Sequence, residues 1–305
     1  MDNALLYRGL KEMGLLYDPS AARLYGTSME YYGGSLRAAD WFRALPEEFQ
    51  RRYGFCVSLN GMKFALAAES FQKPLDGEAL AAAVCFVLAG CILDNMLDEG
   101  DPADRAAAEE KLAWEYCADY FLRFAPVRAD HTVDRLYSVI GSFLRKGKEH
   151  SVAAYDSLLE HLHRAVQAET FSLKGLRDPR EEAFAADKSV LFTVIGFELA
   201  LYGEHTAQEW EAFFLIGDTF RIIDDLCDAE QDRLAGRANS LLANAGADDS
   251  EWIRRALEVL RQALARLEAV VSRSFFTFLR YELQSWTLSN AYLYQKILEA
   301  PLCQM

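Results

Sequence analysis

The sequence predicts an all-α protein: one bundle of about ten helices around a central cavity, with residues 1–305 forming a single domain. Three observations predict it. Apolar residues recur with the 3.6-residue helical period through most of the chain, and nothing alternates with period two for long. Proline and glycine are sparse and fall between the periodic blocks, at Gly33-Gly34, Pro46, Pro74, Gly100–Pro102, Pro126, Gly175–Pro179, Gly203, and Gly236 with Gly246. Finally, 51% of the 305 residues are hydrophobic, enough for one sizeable core, and no repeat, low-complexity stretch or linker divides them.

The breaks define the elements in order. Ser35–Ala44 follows the glycine pair, and Pro46–Gln72 opens on a proline, which the first turn of a helix tolerates. Asp76–Glu99 starts beyond Pro74 and stops at Gly100-Asp101, after which Pro102 opens Pro102–Phe124. Thr132–Gly147 ends in the basic run Arg145–Lys148, which complements the helix dipole. Val152–Leu173 runs to the Gly175–Pro179 break, and Arg180–Tyr202 to Gly203. Ala207–Asp232, Ser250–Ser272 and Phe275–Ala300 complete the set.

The chemistry concentrates in two of these helices. In Ile216–Asp232 (IGDTFRIIDDLCDAEQD), Asp224, Asp228 and Asp232 recur at i, i+4 and i+8. Each step advances about 40° around a helix and ~6 Å along it, so all three leave one face. Phe213, Phe214, Leu215, Ile216, Phe220, Ile222 and Ile223 surround them, so the helix reads as buried. Adjacent buried carboxylates must be protonated, paired or bound to cations, and hard divalent cations with oxygen ligands fit best. Val87–Asp101 (VLAGCILDNMLDEGD) repeats the design: an apolar helix ending in Asp94, Asp98 and Glu99. Facing one another across a cavity, two such helices would form an acidic mouth able to hold several Mg²⁺ ions and, through them, a diphosphate.

Other chemistries are less well supported. A net charge of −14 argues against a nucleic-acid phosphate-binding surface. The opening MDNALLYRGLKEMG shows no basic n-region before an apolar run, and charges are read as interrupting every stretch of transmembrane length. Cys56, Cys85, Cys91, Cys117, Cys227 and Cys303 form no CxxC pair and read as reduced residues of a cytoplasmic protein; Cys303 does not make a prenylation box. His161 and His163, at i and i+2, cannot share a helix face to bind zinc, and His150 and His205 sit at solvated helix ends. No Ser-His-Asp set, P-loop or dinucleotide fingerprint is visible.

Three segments resemble the class I isoprenoid synthases. Gly217 through Asp232 (GxxFRxxDDxxDxxxD), with Gly236-Arg237, resembles the second aspartate-rich motif of trans-prenyl diphosphate synthases, and Asp94-Asn-Met-Leu-Asp98-Glu99 resembles their first. Lys188-Ser-Val-Leu-Phe192, with Gly196 and Leu199-Ala200, is similar to their diphosphate-binding lysine segment. Order and rough separation agree over about Leu80 to Leu242, and bacterial class I terpene cyclases share the fold. The resemblance implies an all-α Mg²⁺-dependent enzyme in which three Mg²⁺ ions clamp the diphosphate of an isoprenyl substrate. Asp94, Asp98 and Glu99 would hold ions from one wall, with Asp224, Asp228 and Asp232 on the other. Lys188, Arg221 and Arg237 would donate to phosphate oxygens.

Departures from the pattern separate two reactions. Chain elongation calls for Asp at Asn95, a paired arginine where only Arg105 follows, and an N-terminal Gly-Gly-Lys-Arg segment for which Gly33-Gly34-Ser-Leu-Arg37 is a poor substitute. Those groups serve a second diphosphate; ionisation of one survives their loss. Trp286 through Tyr292 partly resembles the Trp…Arg-Tyr end of bacterial cyclases, with Ala291 in place of the arginine. The first reading is therefore a terpene cyclase; the alternatives are a prenyltransferase, elongating or using another acceptor, and a non-catalytic subunit of a prenyl synthase. A cyclase needs a dry, aromatic cavity, for which Phe86, Ala89, Gly90, Phe192, Phe220, Trp286 and Tyr292 are the candidate lining residues. Small residues at Ala89 and Gly90 are read as room for a C15 to C20 or longer chain, with Phe86 as floor. By analogy the protein would be a homodimer.

Overall fold

The computed structural model describes residues 3–16, 19–125, 131–173, 188–235, 239 and 249–289, and among them every regular element is an α-helix. The helices, in chain order, are α1 (Asn3–Glu12), α2 (Pro19–Ala38), α3 (Asp40–Arg43), α4 (Glu47–Ser70), α5 (Gly77–Asp98), α6 (Pro102–Leu112), α7 (Trp114–Phe121), α8 (Thr132–His150), α9 (Val152–Leu173), α10 (Lys188–Ala200), α11 (Ala207–Ala235), α12 (Asp249–Val270) and α13 (Arg273–Ser289). The all-α expectation holds. Contacts divide the chain into two compact units, residues 26–210 and residues 1–25 with 211–305.

The unit of residues 26–210 is built on α5. Asp76 caps it, accepting from the Ala79 N–H at 2.8 Å. From Ala79 to Leu93 its residues are small or aliphatic with one Phe, and most are buried on all sides against α4, α6, α8 and α10. α5 is long and apolar enough to cross a membrane by length and composition, which corrects the reading that charges interrupt every such run; 56% of its most apolar window is buried within the structure. The break after α5 is as the sequence predicts: Asp101 accepts from the Ala103 and Asp104 N–H groups, with Pro102 in the first turn of α6.

Two boundaries differ from expectation, each for a local reason. The single helix predicted over Pro102–Phe124 is two, because Ala113 is extended. The Lys111 carbonyl there accepts instead from the Tyr137 hydroxyl and the Cys117 thiol, both at 3.3 Å. Lys111 itself is buried in an ion pair with Asp134 at 3.1 Å, which also accepts from the Tyr116 hydroxyl at 2.5 Å. Gly33-Gly34 does not break the chain but lies within α2, where Gly33 brings the backbone against Ser58 of α4; a Cβ there would sit 2.0 Å from the Ser58 hydroxyl. Of the helix predicted over Arg180–Tyr202, residues 180–187 lie outside the described residues, and Lys188–Ala200 is helical as predicted.

The N-terminus of α11 carries a capping box. The Glu209 N–H donates to the Thr206 hydroxyl at 3.3 Å while the Glu209 carboxylate accepts from the Thr206 N–H at 2.6 Å. Lys73 pairs with the same carboxylate at 2.9 Å and reaches His205 Nδ1 at 3.1 Å. The His205 side chain is only 3% exposed, its ring edge-on to Trp210 at 5.0 Å, rather than solvated as expected. Burial first, and then Lys73, lower its pKa to about 4.

The unit of residues 1–25 with 211–305 contains α1, not anticipated from sequence. Leu6 and Leu10 are buried, and Gly9 lies so close to α12 that a Cβ would sit 2.3 Å from Leu257. The turn after α1 is tied to α13: Arg280 donates to the Met13 carbonyl and Gln284 to the Gly14 carbonyl, both at 2.7 Å. Gly14 has φ of +65°, and a side chain there would also collide with the Arg280 guanidinium.

Candidate active site

The first acidic motif occupies the last turn of α5 and its cap. Leu93 is buried, but Asp94, Asp98 and Glu99 are exposed, so the helix leaves the core at its first carboxylate. Their exposure corrects the premise that these charges are buried. Asp94 and Asp98 share the i, i+4 face, and among the described residues Asp98 makes no hydrogen bond or ion pair. Asn95, where elongating enzymes would have Asp, is turned to other work. Its amide donates to the Tyr53 hydroxyl of α4 and back to the Cys91 carbonyl, both at 2.8 Å. Burial raises the pKa of the Tyr53 hydroxyl, so it stays neutral. Glu99 pairs with Arg52 of α4 at 3.0 Å. Arg52 and Tyr53 were not singled out from sequence; they stand 47 and 42 residues before their partners, a separation that no helical spacing encodes.

Further along α5, three of the candidate lining residues, Phe86, Gly90 and Phe192, come together. The Phe192 ring packs on Phe86 with centroids 4.7 Å apart. Its edge fills the space above Gly90, where a Cβ would lie 2.3 Å from Phe192 Cε2 and Cζ. The room read as belonging to a long substrate is therefore held by Phe192. Ala89 is buried in the helix interior. Lys188, at the start of α10, is ion-paired with Glu169 of α9 at 3.3 Å. The Arg37 segment is also engaged: its guanidinium is held by Glu30 at 2.5 Å and by the Ser58 hydroxyl.

The second motif lies on α11. Asp224 is exposed, and Asp228 and Asp232 follow on the same continuous helix at i+4 and i+8, as predicted, though their side chains lie outside the described residues. Arg221 bridges Asp218 at 2.5 Å and Asp225 at 3.3 Å, an intrahelical arrangement that spends its charge on its own helix. Asn239 donates to the Asp225 carbonyl at 2.8 Å. Phe220 meets Trp286 of α13 with centroids 5.2 Å apart; Phe220 is buried and Trp286 is 39% exposed. Arg237 and Tyr292 lie outside the described residues.

Among the described residues no three His, Cys, Asp or Glu side chains are grouped to hold a metal by themselves. The donors present nevertheless suit Mg²⁺, which favours carboxylate oxygen and completes its octahedron with water and substrate phosphate rather than with an all-protein cage. Asp94 and Asp98, exposed at a helix end, meet that description.

In comparison with solved structures, the chain is similar to the linalool/nerolidol synthase of Streptomyces clavuligerus, crystallised in complex with 2-fluorogeranyl diphosphate. The TM-score is 0.51 at 18% identity, over 92% of this chain and 94% of that one, a likeness that shows the all-α terpene-synthase fold. No family model and no curated protein matches the chain.

Proposed function

We propose that the chain is a class I terpene synthase that ionises one linear isoprenyl diphosphate and quenches the resulting carbocation, after cyclisation, by proton loss or water. The observation that carries this reading is the pairing of exposed Asp94 and Asp98 with the end of an otherwise buried apolar helix, in a chain of terpene-synthase fold. Asp94 and Asp98 would hold Mg²⁺, and Asp224 and Asp228 on α11 are carboxylates of the same kind and spacing. When bound, Mg²⁺ neutralises charge on the departing diphosphate. The apolar body of α5 and the Phe86–Phe192 pair would exclude water from the hydrocarbon, and the aromatic faces there would stabilise cationic carbon by ~1–2 kcal/mol each. With Phe192 above Gly90, a C10 to C15 substrate fits this reading better than the C20 or longer chain that small residues alone suggest. Chain elongation is disfavoured because Arg37, the nearest counterpart of a second-diphosphate cation, is committed to Glu30 and Ser58.

The test is incubation with Mg²⁺ and C10, C15, C20 and C25 prenyl diphosphates, each with and without isopentenyl diphosphate. Cyclic or rearranged products from C10 or C15 substrate alone, lost in both Asp94→Ala and Asp224→Ala, are expected. Longer diphosphates formed only with isopentenyl diphosphate would establish elongation instead, and turnover persisting in both variants would remove the metal assignment.

A further inference from the structure

Glu99 closes the first acidic motif and carries a protein cation. Arg52 reaches it from α4 through a single terminal nitrogen, Nη2, at 3.0 Å. A guanidinium carries five N–H donors in a rigid fork. Among the described residues this is the only hydrogen bond Arg52 makes, so the rest of the fork is unused. Both side chains are largely in water, 53% and 67% exposed, where such a pair adds little to stability and rearranges readily. Next to it, the Tyr53–Asn95 hydrogen bond holds the same turn of α4 against the same turn of α5. The backbone that presents Arg52 is thereby fixed beside Asp94 and Asp98 while its head group is left exchangeable. The other cations considered for this role in the same unit, Lys188 and Arg37, are engaged with Glu169 and with Glu30 and Ser58.

We infer that Arg52 is a diphosphate-contacting residue, and that Glu99 is its resting partner rather than a metal ligand. This rests on the diphosphate-ionising reading above. A phosphate group offers the open edge of the fork two oxygens where Glu99 engages a single N–H, so a diphosphate held at the end of α5 displaces the carboxylate. Glu99 then competes with the ligand instead of binding its metal. The two roles predict opposite signs for the same substitution.

The experiment is calorimetric titration of the full-length chain with inorganic diphosphate at fixed Mg²⁺, for the wild type, Arg52→Gln, Arg52→Lys, Glu99→Gln and the Arg52→Gln/Glu99→Gln double variant. Both positions are exposed, and thermal unfolding of each variant checks that the fold is retained. Loss of charge-assisted hydrogen bonds should weaken binding about tenfold in Arg52→Gln. Arg52→Lys should recover part of that loss. Removal of the competing carboxylate should tighten binding about two- to fivefold in Glu99→Gln, and the double variant should match Arg52→Gln. Weaker binding in Glu99→Gln would restore it as a metal ligand and overturn the inference. Wild-type affinity in Arg52→Gln would overturn the Arg52 assignment alone. Failure of the wild type to bind diphosphate would overturn both this and the functional reading beneath it.

Discussion

Replacing Gly90 by alanine sets two effects of opposite sign against each other. Helix propensity alone favours the change, since alanine in a helix interior is preferred over glycine by about 1 kcal/mol. Packing opposes it. The new Cβ would lie 2.3 Å from Phe192 Cε2 and Cζ, whereas carbon atoms rest at about 3.5–4.0 Å, so the ring must retreat by about 1.2 Å or more. It cannot do so freely, because Phe86 stacks on it at 4.7 Å from the same helix as Gly90. Overpacking of this kind costs about 1–3 kcal/mol, so Gly90→Ala should destabilise by about 1 kcal/mol net. In a Phe192→Leu background the ring edge is gone, and the same substitution should become neutral or stabilising, a coupling of about 1–2 kcal/mol. Urea unfolding followed by far-UV circular dichroism, at unchanged denaturant slope, measures all four corners of the cycle. A stabilised Gly90→Ala in the wild-type background would refute the packing of Phe192 over Gly90, and with it the argument for a short substrate.

Two further outcomes follow from the geometry. His205 binds its proton near pH 6.5 when unfolded but only near 4 when buried beside Lys73 and Glu209. Unfolding between those values takes up a proton, so stability should fall by up to about 3 kcal/mol as pH drops from 6.5 to 4 and this contribution should then level off; His205→Gln should flatten that window in unfolding midpoints taken across pH, and an unchanged profile would exclude His205 as its source. Removing Mg²⁺ with a chelator should abolish binding of inorganic diphosphate while moving the thermal midpoint of the ligand-free chain hardly at all, because Asp94, Asp98 and Asp224 are exposed; a large fall in the midpoint would show a metal needed for folding.

The helices around the site were legible in the sequence because their signals are local. Asp76–Glu99 and Ala207–Asp232 are bounded by glycine, proline and polar residues, and the structure returns them within a few residues as α5 and α11. α1 and most of α2 were missed; Gly33 in particular reads as a breaker in the absence of the partner it meets, Ser58. The split between α6 and α7 was invisible for a related reason: the groups that satisfy the freed Lys111 carbonyl include Tyr137, a helix away. Within the site, the acidic residues could be read as motifs, and Phe86, Gly90 and Phe192 individually as candidate lining residues. What each does could not. Phe192 fills the gap at Gly90, and Glu99 takes Arg52, through tertiary contacts that no periodicity records.

The burial argument also shows where periodicity overreaches. Apolar residues on every side of a helix predict that the helix is buried, but not at which turn it leaves the core. α5 is buried through Leu93 and emerges at Asp94, so its carboxylates incur no large desolvation cost and need no cation merely to exist. Exposed like charges at i, i+4 cost only about 0.2–0.5 kcal/mol. The case for Mg²⁺ therefore cannot rest on rescuing buried charge; it rests on what such a pair can do when a second polyanion arrives. Two water-exposed carboxylates are too few donors to saturate Mg²⁺, and a diphosphate brings the missing oxygens together with the charge that makes the ion indispensable. Under the proposed function, ion and substrate would bind as one event, and the cations that would help most are those able to change partners during it. Lys188, paired across to α9, and Arg221, spent on its own helix, are poorly placed for that role in comparison with Arg52, whose fork is mostly unused.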